Sequence, residues 1–217
     1  MAQESRTVKS KHGERERTFC YDRLMVEPTE GAARVSEPRE RLLSTASELF
    51  YRYGLTAVGV ERILAEANVT RATFYRHFDG KEGLILAYLD REDATVRGYF
   101  STAEQHATSA RHYLELAVSG IAEDALHHHN RGCPFINASA EYPDPASAVR
   151  QRVDSHRTWF RNALEEALSR AEVPDAADRA RTLVLLRDAA LVGGYLDGPE
   201  TVSRTYMKAA RETAGLD

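Results

Sequence analysis

At 217 residues the chain is long enough for one large domain or two small ones at roughly 100–200 residues each, and its 42% hydrophobic and 29% charged content suits a globular protein with a sizeable core, not a disordered one. Its longest apolar run, the six residues Leu84 to Leu89, falls far short of the roughly 20 needed to cross a bilayer. No apolar stretch follows the polar N-terminus, and Cys20 and Cys133 form no disulfide framework, so a cytoplasmic protein without a membrane partner is expected. The net charge of −4 counts against nucleic acid, which needs a basic surface, until it is divided along the chain.

Residues 1–36 hold 7 Lys+Arg and 6 Asp+Glu. They contain Gly13, Pro28 and Gly31 with no sustained apolar period, and read as a flexible N-terminal extension in which Met25 is an alternative start. Residues 37–83 hold 7 of each sign, and residues 84–217 hold 15 basic against 20 acidic. The acidity therefore belongs to the C-terminal part.

From Glu37 the pattern is helical. Leu42, Ala46, Leu49, Phe50 and Tyr53 recur on one face and Gly54 supplies a stop. A short helix over Val60 to Glu66 buries Ile63 and Leu64, and another runs from Thr70 to Phe78. Between them Asn68 can take the left-handed conformation and Thr70 can cap. Two short helices joined by so tight a turn form a helix-turn-helix unit. With Phe74 and Phe78 turned inward, Ala72 and Arg76 point outward, flanked by Arg71, Tyr75 and Thr73. That face lacks a large aliphatic group. It offers arginines able to bond two acceptors of guanine, and hydroxyls suited to phosphate or a thymine methyl, around a small alanine that permits close approach. Lys81 follows at the start of a fourth helix, where a phosphate can be held.

These residues resemble a known family. The run Ile63-Leu64-Ala65-Glu66-Ala67-Asn68-Val69-Thr70-Arg71-Ala72-Thr73-Phe74-Tyr75-Arg76-His77-Phe78-Asp79-Gly80-Lys81-Glu82, within Arg39 to Leu84, closely resembles the DNA-binding domain of tetracycline-repressor (TetR) family regulators. The resemblance implies that Thr70, Arg71, Ala72, Thr73, Tyr75, Arg76, His77 and Lys81 form the DNA contact. Ala67-Asn68 stands where members usually have Ala-Gly. Val58-Gly59 stands where many have a hydroxyl pair capping the second helix, leaving Thr56 as the substitute phosphate contact.

The remaining chain reads as several long helices: Leu84 to about Phe100; a stripe from Leu114 through Ala117, Val118, Ile121 and Ala125 to His128; a stripe from Val149 through Val153, His156, Phe160, Leu164 and Ala167 to Ala171; then Ala180 to Val192 and Pro199 to about Thr213, broken by Gly193-Gly194 and Asp197-Gly198. Leu183, Val184, Leu185, Leu186, Leu191 and Val192 place apolar groups on more than one face, as a helix needs when it packs on its own domain and on a partner. The family resemblance implies a homodimer joined through the last two helices, with a ligand cavity in the preceding ones. Candidate cavity residues are Tyr88, His128, Cys133, Phe135, Asn137, His156, Trp159 and Phe160, apolar or aromatic groups with polar ends, with core packing as the competing reading.

Arg131 to Asn137 is expected to be irregular, bent by Gly132 and Pro134 beside Cys133, which raises a thiol sensor as an alternative, against an inert buried cysteine. His127, His128 and His129 diverge by about 100° per residue on a helix and cannot converge on one ion, so neither a metal nor a cofactor is expected. No phosphate-binding glycine loop, nucleophile elbow or paired-carboxylate motif marks an enzyme. The whole reads as an all-α protein: a flexible extension (1–36), a three-helix bundle with helix-turn-helix (37–83) and a larger helical ligand-binding and dimerisation domain (84–217). The expected function is a ligand-responsive, homodimeric transcriptional regulator, a repressor released from a roughly palindromic operator by an unknown small molecule. The alternative is a DNA-binding dimer without an effector.

Overall fold

The computed structural model describes residues 36–124 and 131–217. Among the described residues there are nine α-helices and no strands, and no helix is long and apolar enough to cross a membrane. The 1–35 extension, Met25 included, and the candidates Ala125 and His127 to His129 lie outside the described residues.

Helix α1 (Glu37–Tyr53) starts where the Ser36 hydroxyl accepts from the Arg39 amide at 3.4 Å, with Pro38 in its first turn, a position where a missing N–H costs nothing. Ser36 thus belongs to this helix and not to the extension. The helix ends at Gly54, whose φ of +96° suits glycine. Of its expected stripe, Leu42, Ala46, Leu49 and Phe50 are buried. Tyr53 instead lies on the surface, with the Arg62 guanidinium stacked 4.3 Å from its ring, where the cation replaces the core as its partner.

Helix α2 (Val60–Ala67) buries Ile63, Leu64 and Ala67. It stops at Asn68, which adopts the left-handed conformation (φ 50°, ψ 53°) while the Val69 amide bonds back to the Leu64 carbonyl at 3.1 Å. This reversal satisfies carbonyls that a helix end leaves open. Helix α3 (Arg71–His77) is capped by Thr70, whose hydroxyl accepts from the Thr73 amide at 3.2 Å.

Helix α4 (Gly80–His106) continues six residues past the end expected at Phe100, because Ala103 still has a core to face. The boundary expected at 83/84 falls within it. Helix α5 (Ala110–Glu123) begins at a Ser109 cap. Of the segment expected to be irregular, 131–133 is so, turning at Gly132 with φ +80°, whereas Pro134 to Asn137 form the start of helix α6 (Pro134–Glu141), which the fixed φ of Pro134 favours.

Helix α7 (Ala148–Arg170) buries the expected stripe through Ala167. Helix α8 (Ala176–Asp197) runs unbroken through Gly193-Gly194, correcting the break expected there. The cause is packing: a Cβ on Gly193 would stand 3.2 Å from a methyl of Val202 in helix α9 (Pro199–Ala214). Glycine here admits a neighbouring helix. The actual break is at Gly198, at φ +89°.

Two buried clusters result. One joins α1–α3 and the first half of α4 to Cys133 just before α6, Phe135 and Ala138 of α6, Val149 and Val153 of α7, and Leu191 of α8. The other fills the space between the second half of α4, α5, the second half of α7, α8 and α9. The helix-turn-helix unit therefore shares a core with α6, α7 and α8.

Candidate DNA-binding face and helical interior

Phe74 is fully buried and Phe78 nearly so, which fixes the rotation of α3 and sets Arg71, Ala72, Tyr75 and Arg76 outward. Tyr75 is 57% exposed, its ring touching only the edge-on Phe74 among the aromatic neighbours described. Thr70 and Thr73 share a hydroxyl contact of 2.9 Å. Three candidates are held by neighbours. Arg71 pairs with Glu61 in the first turn of α2. The His77 imidazole meets the Ser36 hydroxyl at 3.1 Å, fastening the end of α3 to the start of α1. Lys81 donates to the Thr56 carbonyl at 3.0 Å, and partial burial lowers its pKa.

The loop between α1 and α2 differs from expectation. Val58 is buried and Gly59 precedes α2 without a side-chain cap. Thr56 is exposed, but its hydroxyl already donates its hydrogen to Glu141 of α6 at 2.6 Å and so has none left for a phosphate. The same carboxylate accepts from the Thr56 amide at 2.7 Å and the Leu55 amide at 2.8 Å. Burial alone would raise the Glu141 pKa, but these bonds and nearby Lys81 outweigh it and hold it below the ordinary value. Gly54 is needed here too, since a Cβ would lie 3.0 Å from that carboxylate.

The other end of α6 is tied to α1 by Tyr51. Its hydroxyl accepts from the Arg131 amide at 2.7 Å and donates to the Gly132 carbonyl at 3.1 Å, while Arg131 donates to the Tyr51 carbonyl at 2.8 Å. A short segment, 131–141, is thus fastened at both ends to the helix-turn-helix unit.

In the interior the structure brings four cavity candidates together. Phe135 stacks on His156 at 3.6 Å and 3°, with Trp159 and Phe160 about the same imidazole at 6.0 and 6.1 Å. Cys133 joins this group through Arg187, whose Nη1 is 3.7 Å from its sulfur. Tyr88 packs with Phe50 in the first core, which also holds Cys133 and Phe135, and burial raises its pKa beyond the usual phenol range. Asn137 faces the groove between α6 and the end of α8 and donates to the Arg131 carbonyl at 3.2 Å. Cys133 is buried, which does not favour a thiol sensor.

Sequence reasoning missed Arg187, Asp93, Asp124 and Glu141. Arg187 had a signal: it falls on the buried stripe of Leu183, Ala190 and Leu191, where a charge needs partners. Those partners are Asp124 and Asp188 at 4.0 and 3.9 Å, with the Phe160 ring 4.9 Å from the guanidinium carbon. Asp93, which binds His156 Nδ1 at 2.7 Å, is 63 positions away and had none. Among the described residues no group of three or more metal-binding side chains occurs.

Comparisons with known proteins agree with this geometry. Residues 42–88 match the family model of bacterial regulatory proteins of the tetR family, and residues 90–211 match that of the tetracyclin repressor-like C-terminal domain. A crystal structure of a TetR-family transcriptional regulator from Streptomyces coelicolor is 43% identical, with a TM-score of 0.79 over 83% of this chain and 95% of that one. The transcriptional activator FasR of Mycolicibacterium smegmatis is 31% identical over 54% of this chain, and the chain spans 53% of that activator's length. The transcriptional repressor NemR of Escherichia coli is 27% identical over 61% of this chain and 67% of the repressor. The crystal structure of its reduced form shares the fold, with a TM-score of 0.70 at 20% identity over 82% of this chain and 97% of that one.

Proposed function

The chain belongs to the TetR family of bacterial transcriptional regulators, and from that premise we propose that it is a homodimeric repressor that a small molecule releases from its operator. The observation that carries the reading is the outward face of α3, where Arg71, Ala72, Tyr75 and Arg76 stand exposed on a helix whose rotation Phe74 fixes. Thr70, Thr73, His77 and Lys81 complete the DNA contact, with 37–83 as the DNA-binding part and 84–217 as the ligand and dimer part.

The exposed stripe of Leu185, Val192 and Leu196 on α8, at 66%, 43% and 69% exposure, supports dimerisation, since apolar groups so aligned favour burial against a second copy. Two copies would set their recognition helices in successive major grooves about 34–36 Å apart. The segment 131–141, tied to Tyr51 and to Thr56, supports coupling between interior and DNA-binding face. An effector that shifts α6 would move the helix-turn-helix unit with it. A coupling of about 1–3 kcal/mol changes operator affinity roughly 5- to 150-fold. With an activator and a repressor among its relatives, repression is the reading to test first in a promoter fusion.

The experiment is selection of duplexes from a random pool by the full-length protein. Enrichment of two related half-sites in two-fold arrangement is expected. A pool that stays random, or enrichment of a single unpaired site, overturns the proposal.

A further inference from the structure

We propose that the interior between α4, α6, α7 and α8 takes a neutral hydroxyaromatic molecule, whose hydroxyl donates to His156 Nε2 and accepts from Arg187. The inference rests on the reading of this interior as an effector site and deepens it by naming the ligand's chemistry.

It starts from one atom. His156 has a side chain only 1% exposed, and its Nδ1 lies 2.7 Å from an Asp93 carboxylate oxygen. A carboxylate can only accept, so Nδ1 carries the hydrogen, and Asp93 is itself held by Arg97 at 2.6 Å. Burial keeps the ring neutral, with its pKa down at about 4. Nε2 therefore presents a lone pair, and this buried atom has no hydrogen-bond partner among the described residues. Buried acceptors seldom stay unpaired in native proteins, so a guest that brings a donor is favoured there.

Arg187 supplies the complementary half. Its guanidinium lies against Phe160, the ring that also flanks His156. Its only hydrogen bond among the described residues goes to the Cys133 sulfur. Asp188 and Asp124 stand at 3.9 and 4.0 Å, beyond normal hydrogen-bond reach. Guanidinium N–H groups thus remain for a guest oxygen.

The charges then select against an ion. Arg187 and Arg157 face Asp124 and Asp188, the last bonded to Arg157 at 3.2 and 2.7 Å, and Asp93 faces Arg97. Among the described residues the cluster is balanced, so a carboxylate or ammonium guest would add an uncompensated buried charge. A hydroxyl donates and accepts at once without charge. The rings of Phe135, Trp159 and Phe160 gathered about the imidazole favour an aromatic body beside it.

The test is calorimetric titration of the full-length protein, without DNA, by 2-naphthol, 2-methoxynaphthalene and 2-naphthoate at neutral pH. The expected result is that 2-naphthol binds at least about tenfold more tightly than the ether, which lacks the donor, and than the anion. In His156→Phe the preference for naphthol over the ether falls to within about twofold. Equal binding of naphthol and ether by the native protein, survival of the preference in His156→Phe, or no binding of any of the three overturns the proposal. Should His156→Phe fail to fold, the 15N resonance of His156 Nε2 in the native protein decides: naphthol moves it toward that of a hydrogen-bonded acceptor and the ether does not, whereas a resonance unmoved by naphthol overturns the assignment. Operator release is measured separately. Naphthol that binds with the expected preference and leaves operator affinity unchanged supports this site while removing the effector reading.

Discussion

The face of α3 and the cluster around His156 are built in opposite ways. The recognition face comes from one continuous stretch. Its residues are exposed, and only Phe74 and Phe78 beneath it enter the core. The interior cluster comes from Asp93 on α4, Phe135 on α6, His156 and Phe160 on α7 and Arg187 on α8, and its polar groups reach partners far along the chain, His156 to Asp93 and Arg187 to Cys133 and Asp124. A surface of the first kind can change its side chains at little cost in stability. A cluster of the second kind carries stability and chemistry in the same atoms. Substitutions should therefore separate the regions: interior changes weaken the fold, and changes on the outward face weaken binding alone.

The largest stability effect belongs to His156. Its pKa is about 4 in the folded chain against an ordinary 6.5, so the unfolded state binds the proton more tightly. The contribution is fully present above pH 6.5 and is lost as pH falls from there to about 4, a swing of about 3 kcal/mol. Urea unfolding across that range should show it, and His156→Phe should flatten the slope. An unchanged slope in the variant would mean that another group carries the titration.

A smaller effect is expected at the junction. Glu141→Gln replaces a carboxylate that accepts three hydrogen bonds from residues 55 and 56 by an amide that turns a donor toward them, at a cost of about 1–2 kcal/mol. Hydrogen exchange at the Leu55 and Thr56 amides should accelerate with it. Protection equal to that of the native chain would show that α6 does not hold the loop.

The smallest stability change should come from the pair of Glu61 with Arg71, both largely exposed. Exposed ion pairs contribute about 0–1 kcal/mol, so Glu61→Gln should leave the unfolding midpoint nearly unchanged. It should tighten operator binding, because a carboxylate leaves the phosphate-facing side and the guanidinium is released. Weaker binding would assign Glu61 the opposite role, holding Arg71 in its reading position.

The same contrast explains what the sequence made legible. The helix-turn-helix unit was readable because its determinants are local: left-handed Asn68, capping Thr70 and the Phe74/Phe78 spacing all lie within eleven residues. The charge of −4 misled only as a sum, since the acidic excess lies beyond residue 83. In the interior, aromatic stripes pointed to Phe135, His156, Trp159 and Phe160, but the pairing of His156 with Asp93 joins positions 63 apart and has no periodic signature. Glu141 reads as an ordinary last-turn glutamate until the fold brings Thr56 to it. Gly193 was misread because a glycine that admits Val202 looks the same in sequence as one that ends a helix.

The proposed contact of α3 with operator DNA through its outward face requires that this face be separable from the fold. Fluorescence anisotropy of a selected operator, titrated with the native protein and with Tyr75→Ala/Arg76→Ala, tests it most directly. At about 1–3 kcal/mol for each good base contact, present in both subunits, the double variant should lose roughly 100-fold or more in affinity with its melting temperature unchanged. Undiminished affinity, or a loss that appears only together with unfolding, would contradict the claim.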